Sequence, residues 1–226
     1  MASRYLNHYT LLHFEKAYWE LPSERRAEVL DAFAKGLGGL ADKVHVYQVF
    51  PARPNVDLLL WCVVDADDDS APSMLFAKIA AFMAPLRRYI EPVDTLWGFT
   101  RRSQYHPGKT EQELDPLSDV RLPYLVIYPF SKTSEWYMLS REARQGMMNE
   151  HIRLGKEYPK ISQLLLYSTG LQDQEFVVAY ETDELTHFSE LVVALRSTDG
   201  RRFTLKDTPI TTATWRSLPE LLEFWR

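Results

Sequence analysis

The side chains able to do chemistry in this sequence are six histidines, one cysteine and an unusual number of phenols, and their spacing excludes more than it permits. The histidines are His8, His13, His45, His106, His151 and His187, and none lies in an H-E-x-x-H or H-x-H pattern. His13-Phe14-Glu15 is an H-x-E, but no P-C-x-x-C can follow it in a chain whose only cysteine is Cys62, so a dedicated zinc site is not expected. The same single cysteine rules out an internal disulfide framework and an iron–sulfur cluster. Because Cys62 lies in the apolar run Leu58–Val64, it reads as a small buried hydrophobe. There is no G-x-S-x-G elbow, no P-loop and no G-x-G-x-x-G, which removes the usual support for hydrolase and nucleotide chemistry.

His151 stands apart by position. Helical spacing puts it on one face with Met147, Met148, Leu154 and Tyr158. An imidazole among apolar groups must be hydrogen-bonded, neutral or metal-bound, since an unsatisfied buried polar group costs about 1–3 kcal/mol. Periodicity alone leaves two readings open: a core histidine bonded to a backbone carbonyl, or a ligand. A lone histidine without a second protein ligand is what a five-coordinate haem requires, the porphyrin supplying four nitrogens.

The elements that must position these residues come from an internal repeat. His13-Phe14-Glu15-Lys16 with Trp19, Leu21 and Ser23 is echoed by Pro129-Phe130-Ser131-Lys132 with Trp136, Leu139 and Ser140. Each block precedes an amphipathic run that Ser23 or Ser140 is placed to cap. Strand-like segments follow at Val44–Phe50 and Val56–Val64, then at Ile161–Tyr167 and Glu175–Tyr180, the latter pair joined by a turn containing Gly170 and Asp173. A second helix is expected at Ser73–Tyr89, kinked or shortened by Pro85, and again at Leu185–Leu195. Closing strands are expected at Thr95–Ser103 and Phe203–Trp215. The fold class is therefore α+β: two ferredoxin-like β-α-β-β-α-β repeats forming, within one chain, the barrel that paired units make. The repeats occupy residues 1–104 and 122–226. Residues 105–121, with Pro107, Gly108 and Pro116, read as an exposed polar linker.

The net charge of −5 argues against a nucleic-acid partner. No stretch approaches a membrane span and the N-terminus lacks a signal-like apolar core, so a cytoplasmic location is expected.

The second half carries a family likeness. Tyr128-Pro129-Phe130-Ser131-Lys132 followed by Trp136-Tyr137-Met138-Leu139, then Asn149-Glu150-His151, Gly155, Tyr158 and Gln163, then Ser168–Asp173 with Glu175-Phe176, and finally Leu195-Arg196, resembles the chlorite dismutase-like family of haem proteins, and within it the coproheme decarboxylase branch. The match is specific across about Leu122–Arg196; the first half matches in architecture only. The resemblance implies that His151 is the axial ligand to haem iron and that Met147 and Phe176 line the porphyrin. It implies that Tyr128 is the tyrosine that abstracts hydrogen from a propionate, and that Lys132 pairs with that propionate. Gln163 falls where decarboxylases carry a distal glutamine and chlorite dismutases an arginine. The implied reaction is hydrogen peroxide-dependent decarboxylation of two propionates of iron coproporphyrin III (coproheme) to give haem b, by a homo-oligomer that is often a pentamer. The rivals are chlorite dismutase and a non-catalytic haem-binding protein of the same fold. The sequence departs from the family between Lys132 and Trp136, in the spacing from His151 to Gln163, in Phe176 where many members have Trp, and after Arg196. There Arg201 or Arg202 stand as weak anion partners, as do Arg101 and Arg102 in the first half.

Overall fold

Alternating apolar residues build the strands and 3.6-residue periodicity builds the helices, in an order that repeats once. A computed structural model of the chain describes residues 4–105, 108 and 111–226; His106 and Pro107 lie outside the described residues. The first half runs β1 (Tyr5–Phe14), α1 (Lys16–Trp19), α2 (Ser23–Gly36), β2 (Lys43–Gln48), β3 (Leu58–Asp65), α3 (Ala71–Met83) and β4 (Ile90–Thr100). The second runs β5 (Tyr124–Lys132), α4 (Ser134–Met138), α5 (Arg141–Gly155), β6 (Ser162–Tyr167), β7 (Phe176–Thr182) and α6 (Leu185–Arg196). It ends with a 3-10 turn (Asp199–Phe203), β8 (Thr204–Lys206), β9 (Thr211–Trp215) and α7 (Leu218–Glu223).

The nine strands follow the order β7-β6-β4-β1-β3-β2-β9-β5-β8, and a further β7–β5 pairing closes all but β8 into an antiparallel barrel. Each half contributes four strands, and the halves meet at two short seams. At one, Phe99 and Thr100 pair with Tyr167 and Leu166; at the other, Tyr47 and Gln48 pair with Trp215 and Thr214. Closure removes the exposed strand edges that two separate sheets would carry. Gly98 serves the first seam: a Cβ there would lie 2.8 Å from the Tyr167 carbonyl oxygen, so only glycine permits this approach.

The barrel interior is apolar, filled by Tyr9, Leu11, Leu59, Trp61, Leu125, Ile127, Leu164, Leu166 and Val177 among others. Strand alternation sends the intervening residues outward, where helices cover them. Over the first half this cover is tight, with Leu30 and Phe33 of α2 and Leu75 of α3 packed on Leu6, Leu12, Leu58, Leu60 and Cys62. Cys62 is the buried hydrophobe expected.

Several boundaries differ from expectation for local reasons. Ser23 is the first residue of α2 rather than its cap: Pro22 holds the N-cap position and no side chain caps the helix. Ser140 does cap α5, its Oγ accepting from the Ala143 amide at 3.2 Å. Pro85 shortens the second helix as expected: α3 ends at Met83 rather than Tyr89, with Ala84 as its C-cap. The single strand expected over Phe203–Trp215 is interrupted. Phe203 belongs to the 3-10 turn, and β8 and β9 flank a break containing Pro209, which cannot donate to a ladder. Helix α7 was not expected, although a capping box of Ser217 and Glu220 announces it.

The linker is not an exposed loop throughout. Leu114 is buried, its amide donates to the Gln163 carbonyl at 3.0 Å, and the Gln163 amide donates to the Gln112 carbonyl at 2.7 Å. Beyond the short β4 seam, β6 would otherwise present unpaired backbone groups, and this segment satisfies them. Arg121 makes a buried ion pair with Glu181 at 3.3 Å, fastening the linker to β7. Among the described residues no helix is long and apolar enough to cross a membrane.

Candidate functional site

The two repeats have the same elements but not the same packing. In the first, α2 buries Leu30 and Phe33 completely. In the second, α5 is one residue longer yet none of its residues is buried, and its main neighbours are α6 and the 3-10 turn rather than the sheet. The glycines at their C-terminal ends report the same contrast. A Cβ on Gly36 would come within 2.6 Å of the Phe82 ring, whereas one on Gly155 would meet nothing within 4 Å. Protein interiors are normally close-packed, so a helix held off its sheet marks a cleft.

Strand register decides what faces this cleft. The helix-side residues are Tyr128 and Phe130 of β5, Gln163, Leu165 and Tyr167 of β6, and Phe176, Val178 and Tyr180 of β7. Phe130 and Phe176 stack with centroids 4.8 Å apart and planes 15° apart, and Tyr167 meets Phe176 edge-on at 5.5 Å. This is a flat, largely aromatic floor. Gln163 lies opposite Tyr180 in register and is exposed, while its backbone is held on both sides. Met147 and Met148 are half-buried one turn before His151.

Among the described histidines, His151 is the one with neither a hydrogen-bond nor an ion-pair partner. His8 meets Thr10, His13 meets Asp57, His45 meets the Pro116 carbonyl and His187 meets Glu190. Among the described residues none hydrogen-bonds the His151 ring, so the carbonyl-bonded core alternative has no support in the structure. Burial, with the nearby Lys132 charge and against that of Glu150, lowers its pKa to about 4. At neutral pH its imidazole is therefore uncharged and has a lone pair to offer.

At the β5 end of the cleft the charges gather. The Lys132 ammonium donates to the Gly200 carbonyl at 3.3 Å and to Thr204 Oγ1 at 3.4 Å, and lies 4.6 Å from the Trp136 ring centroid. Burial first, and then Arg201, lower its pKa to about 8. Arg201 pairs with Asp207 at 2.6 Å, and Arg196 reaches the same carboxylate at 3.9 Å. Tyr128 lies within the field of Asp207, Arg196 and Arg201. Burial is the main cause that raises its pKa, and a hydrogen bond with Tyr180 opposes it. The two phenol rings stack at 6.2 Å, with Tyr180 buried beneath.

The structure puts Tyr128, Gln163 and Phe176 on one face of the sheet and Lys132 near enough to His151 for its charge to act on the imidazole. It adds Arg201, which the sequence offered only weakly, and Tyr180 and Asp207, which the sequence did not single out. Alternation with Phe176 and Val178 could have flagged Tyr180; nothing local flags Asp207. Arg101 sits over the Tyr167 ring at 5.6 Å, away from the Lys132 end, and Arg102 is exposed. An imidazole on one wall, a flat apolar floor and cations at one end suit a planar ligand that carries a metal and carboxylates.

A family model described as chlorite dismutase matches residues 23–216. A coproheme decarboxylase of Mycolicibacterium smegmatis is 29% identical over 203 residues, spanning 88% of this chain and 86% of that protein. One from Staphylococcus carnosus is 28% identical over 199 residues, spanning 78% of this chain and 77% of that protein. Among solved structures, a mutant chlorite dismutase from Candidatus Nitrospira defluvii superposes with a TM-score of 0.87 at 26% identity, covering 98% of this chain and 95% of that one.

Proposed function

Since this chain belongs to the chlorite dismutase family, we propose that it is a haem-dependent enzyme acting as a coproheme decarboxylase, with His151 holding the iron. The observation that carries this reading is the imidazole of His151, without a hydrogen-bond partner among the described residues, on a helix that stands off its sheet. When bound, the iron porphyrin contributes the redox chemistry that consumes peroxide.

The chain's own residues do the rest. Burial keeps Tyr128 a neutral phenol at pH 7, able to give up a proton and an electron together and then to take a hydrogen atom from a propionate side chain. Lys132, an ammonium whose pKa is lowered to about 8, holds that carboxylate as a compact charge. Arg201 offers a second, forked cation beside it. Gln163 is neutral, so it can hydrogen-bond peroxide without trapping an anion. For each propionate, one peroxide and one proton are consumed, carbon dioxide and two waters leave, and a vinyl group remains, so atoms and charge balance.

The test loads porphyrin-free protein with iron coproporphyrin III, adds hydrogen peroxide stepwise and reads the porphyrin mass. The expected result is loss of two carboxyl groups, abolished in Tyr128→Phe. Binding without mass loss would overturn the decarboxylase reading and make chlorite the next substrate to try. No binding would overturn the haem reading altogether.

A further inference from the structure

We propose that Asp207 is a resident carboxylate that yields Arg201 to a carboxylate of the substrate and takes it back once that group has left. The inference rests on the decarboxylase reading above and concerns which porphyrin the cleft prefers.

Arg196 and Arg201 flank Asp207 beside Tyr128, and the neighbouring Lys132 has its own carboxylate in Glu175, which accepts from the Lys132 amide at 2.7 Å, so Asp207 is the counter-ion of the two arginines. The Arg201–Asp207 contact is two-pronged, Nη1 to Oδ2 at 2.6 Å and Nη2 to Oδ1 at 3.5 Å, so Asp207 occupies the guanidinium edge that an incoming carboxylate needs. Both side chains are largely covered, Asp207 at 20% and Arg201 at 34% exposure. In that setting a guanidinium left without a counter-ion is costly.

Asp207 is also built to move. It directly follows β8, a three-residue strand joined to β5 through the Ser131–Lys206 and Lys132–Thr204 pairs across a register shift. It precedes the break before β9, and among the described residues its carboxylate is ion-paired only with Arg201 and Arg196. Lys132, by contrast, is held by Gly200 and Thr204 and keeps its place.

The reaction removes carboxylates from the ligand. A substrate propionate arriving beside Tyr128 meets Arg201 only by displacing Asp207. When it has become a vinyl group, Asp207 returns and Arg201 is again paired. The resident carboxylate therefore weakens binding of the four-carboxylate substrate and leaves binding of the two-carboxylate product untouched. It narrows the affinity gap that would otherwise favour substrate, and it spares the product state a half-buried unpaired cation.

The experiment is equilibrium titration of the full chain, without peroxide, with iron coproporphyrin III and iron protoporphyrin IX, followed by absorbance. In Asp207→Asn the four-carboxylate porphyrin is expected to bind about tenfold more tightly, as fits release of one charge-assisted contact. The two-carboxylate porphyrin should bind no more tightly than before. Asp207→Glu, which keeps the charge, should behave as the unaltered protein. A merely structural aspartate gives a different pattern, with both porphyrins weakened together in Asp207→Asn. That result, or equal affinity for the four-carboxylate porphyrin, overturns this inference while the haem reading stands. If the unaltered protein binds neither porphyrin, the haem reading falls and this inference with it.

Discussion

Two leucines on corresponding helices give the sharpest test of the cleft. Leu30 of α2 is completely buried, whereas Leu154 of α5 is only half-buried on a helix with no buried residue. Leu→Ala at a fully buried site costs about 2–5 kcal/mol, part of it for the cavity left behind. Leu30, packed within the first-half core, should fall near 3–4 kcal/mol on that scale. Leu154 is only half-buried and belongs to none of the buried clusters, so truncation creates little new cavity and should cost about 1 kcal/mol. At this chain length those losses correspond to roughly 6–16 °C and 2–4 °C in Tm. The assay is urea unfolding of both variants by circular dichroism, first without porphyrin and then with it. Porphyrin at a hundred times its Kd should add about 2.7 kcal/mol to the unaltered protein. Leu30→Ala should keep that whole increment, because its site is remote from the cleft, while Leu154→Ala should lose part of it. If Leu154→Ala costs as much as Leu30→Ala in porphyrin-free protein, α5 is packed against its sheet and the argument for a ligand cleft fails.

Two further outcomes follow from buried charges. Lys132 is an ammonium below its pKa of about 8 and neutral above it, so affinity for iron coproporphyrin III should hold steady on the acid side and decline as pH rises through that value. Lys132→Met should bind weakly and without that inflection, and an unchanged inflection would assign it to another group. Arg121→Met leaves Glu181 buried without its cation and should destabilise the protein by about 3–5 kcal/mol. Adding Glu181→Gln should recover much of this in urea unfolding, because glutamine needs no counter-ion and can still accept from the Tyr47 hydroxyl; two losses that simply add would show that the pair is not coupled.

Much of the architecture is legible because it is written locally and twice. The matching blocks before α2 and α5, the cap at Ser140, and the alternation of Phe176, Val178 and Tyr180 each express a short-range rule. So does Ser217 with Glu220, which could have revealed α7. What failed locally was Phe203–Trp215. Its apolar and polar residues read as one strand although Pro209 marks the break before β9, while the 3-10 turn packs against α5, a contact that short-range rules do not carry.

The sequence by itself determined the two-repeat plan, the chemical types available, and the family likeness that made His151, Tyr128, Lys132 and Gln163 candidates. Periodicity could put His151 on an inner helix face, but a face is not an environment. Only the tertiary structure decided that α5 stands off its sheet while α2 does not, because that depends on side chains brought together from distant strands. Only it could leave the His151 ring without a hydrogen-bond partner among the described residues while giving partners to His8, His13, His45 and His187. The pairing of Arg201 with Asp207 beside Tyr128 is of the same kind. Coulomb and hydrogen-bond energies depend on distance through space, and the spacing between residues 128, 201 and 207 along the chain carries no trace of it.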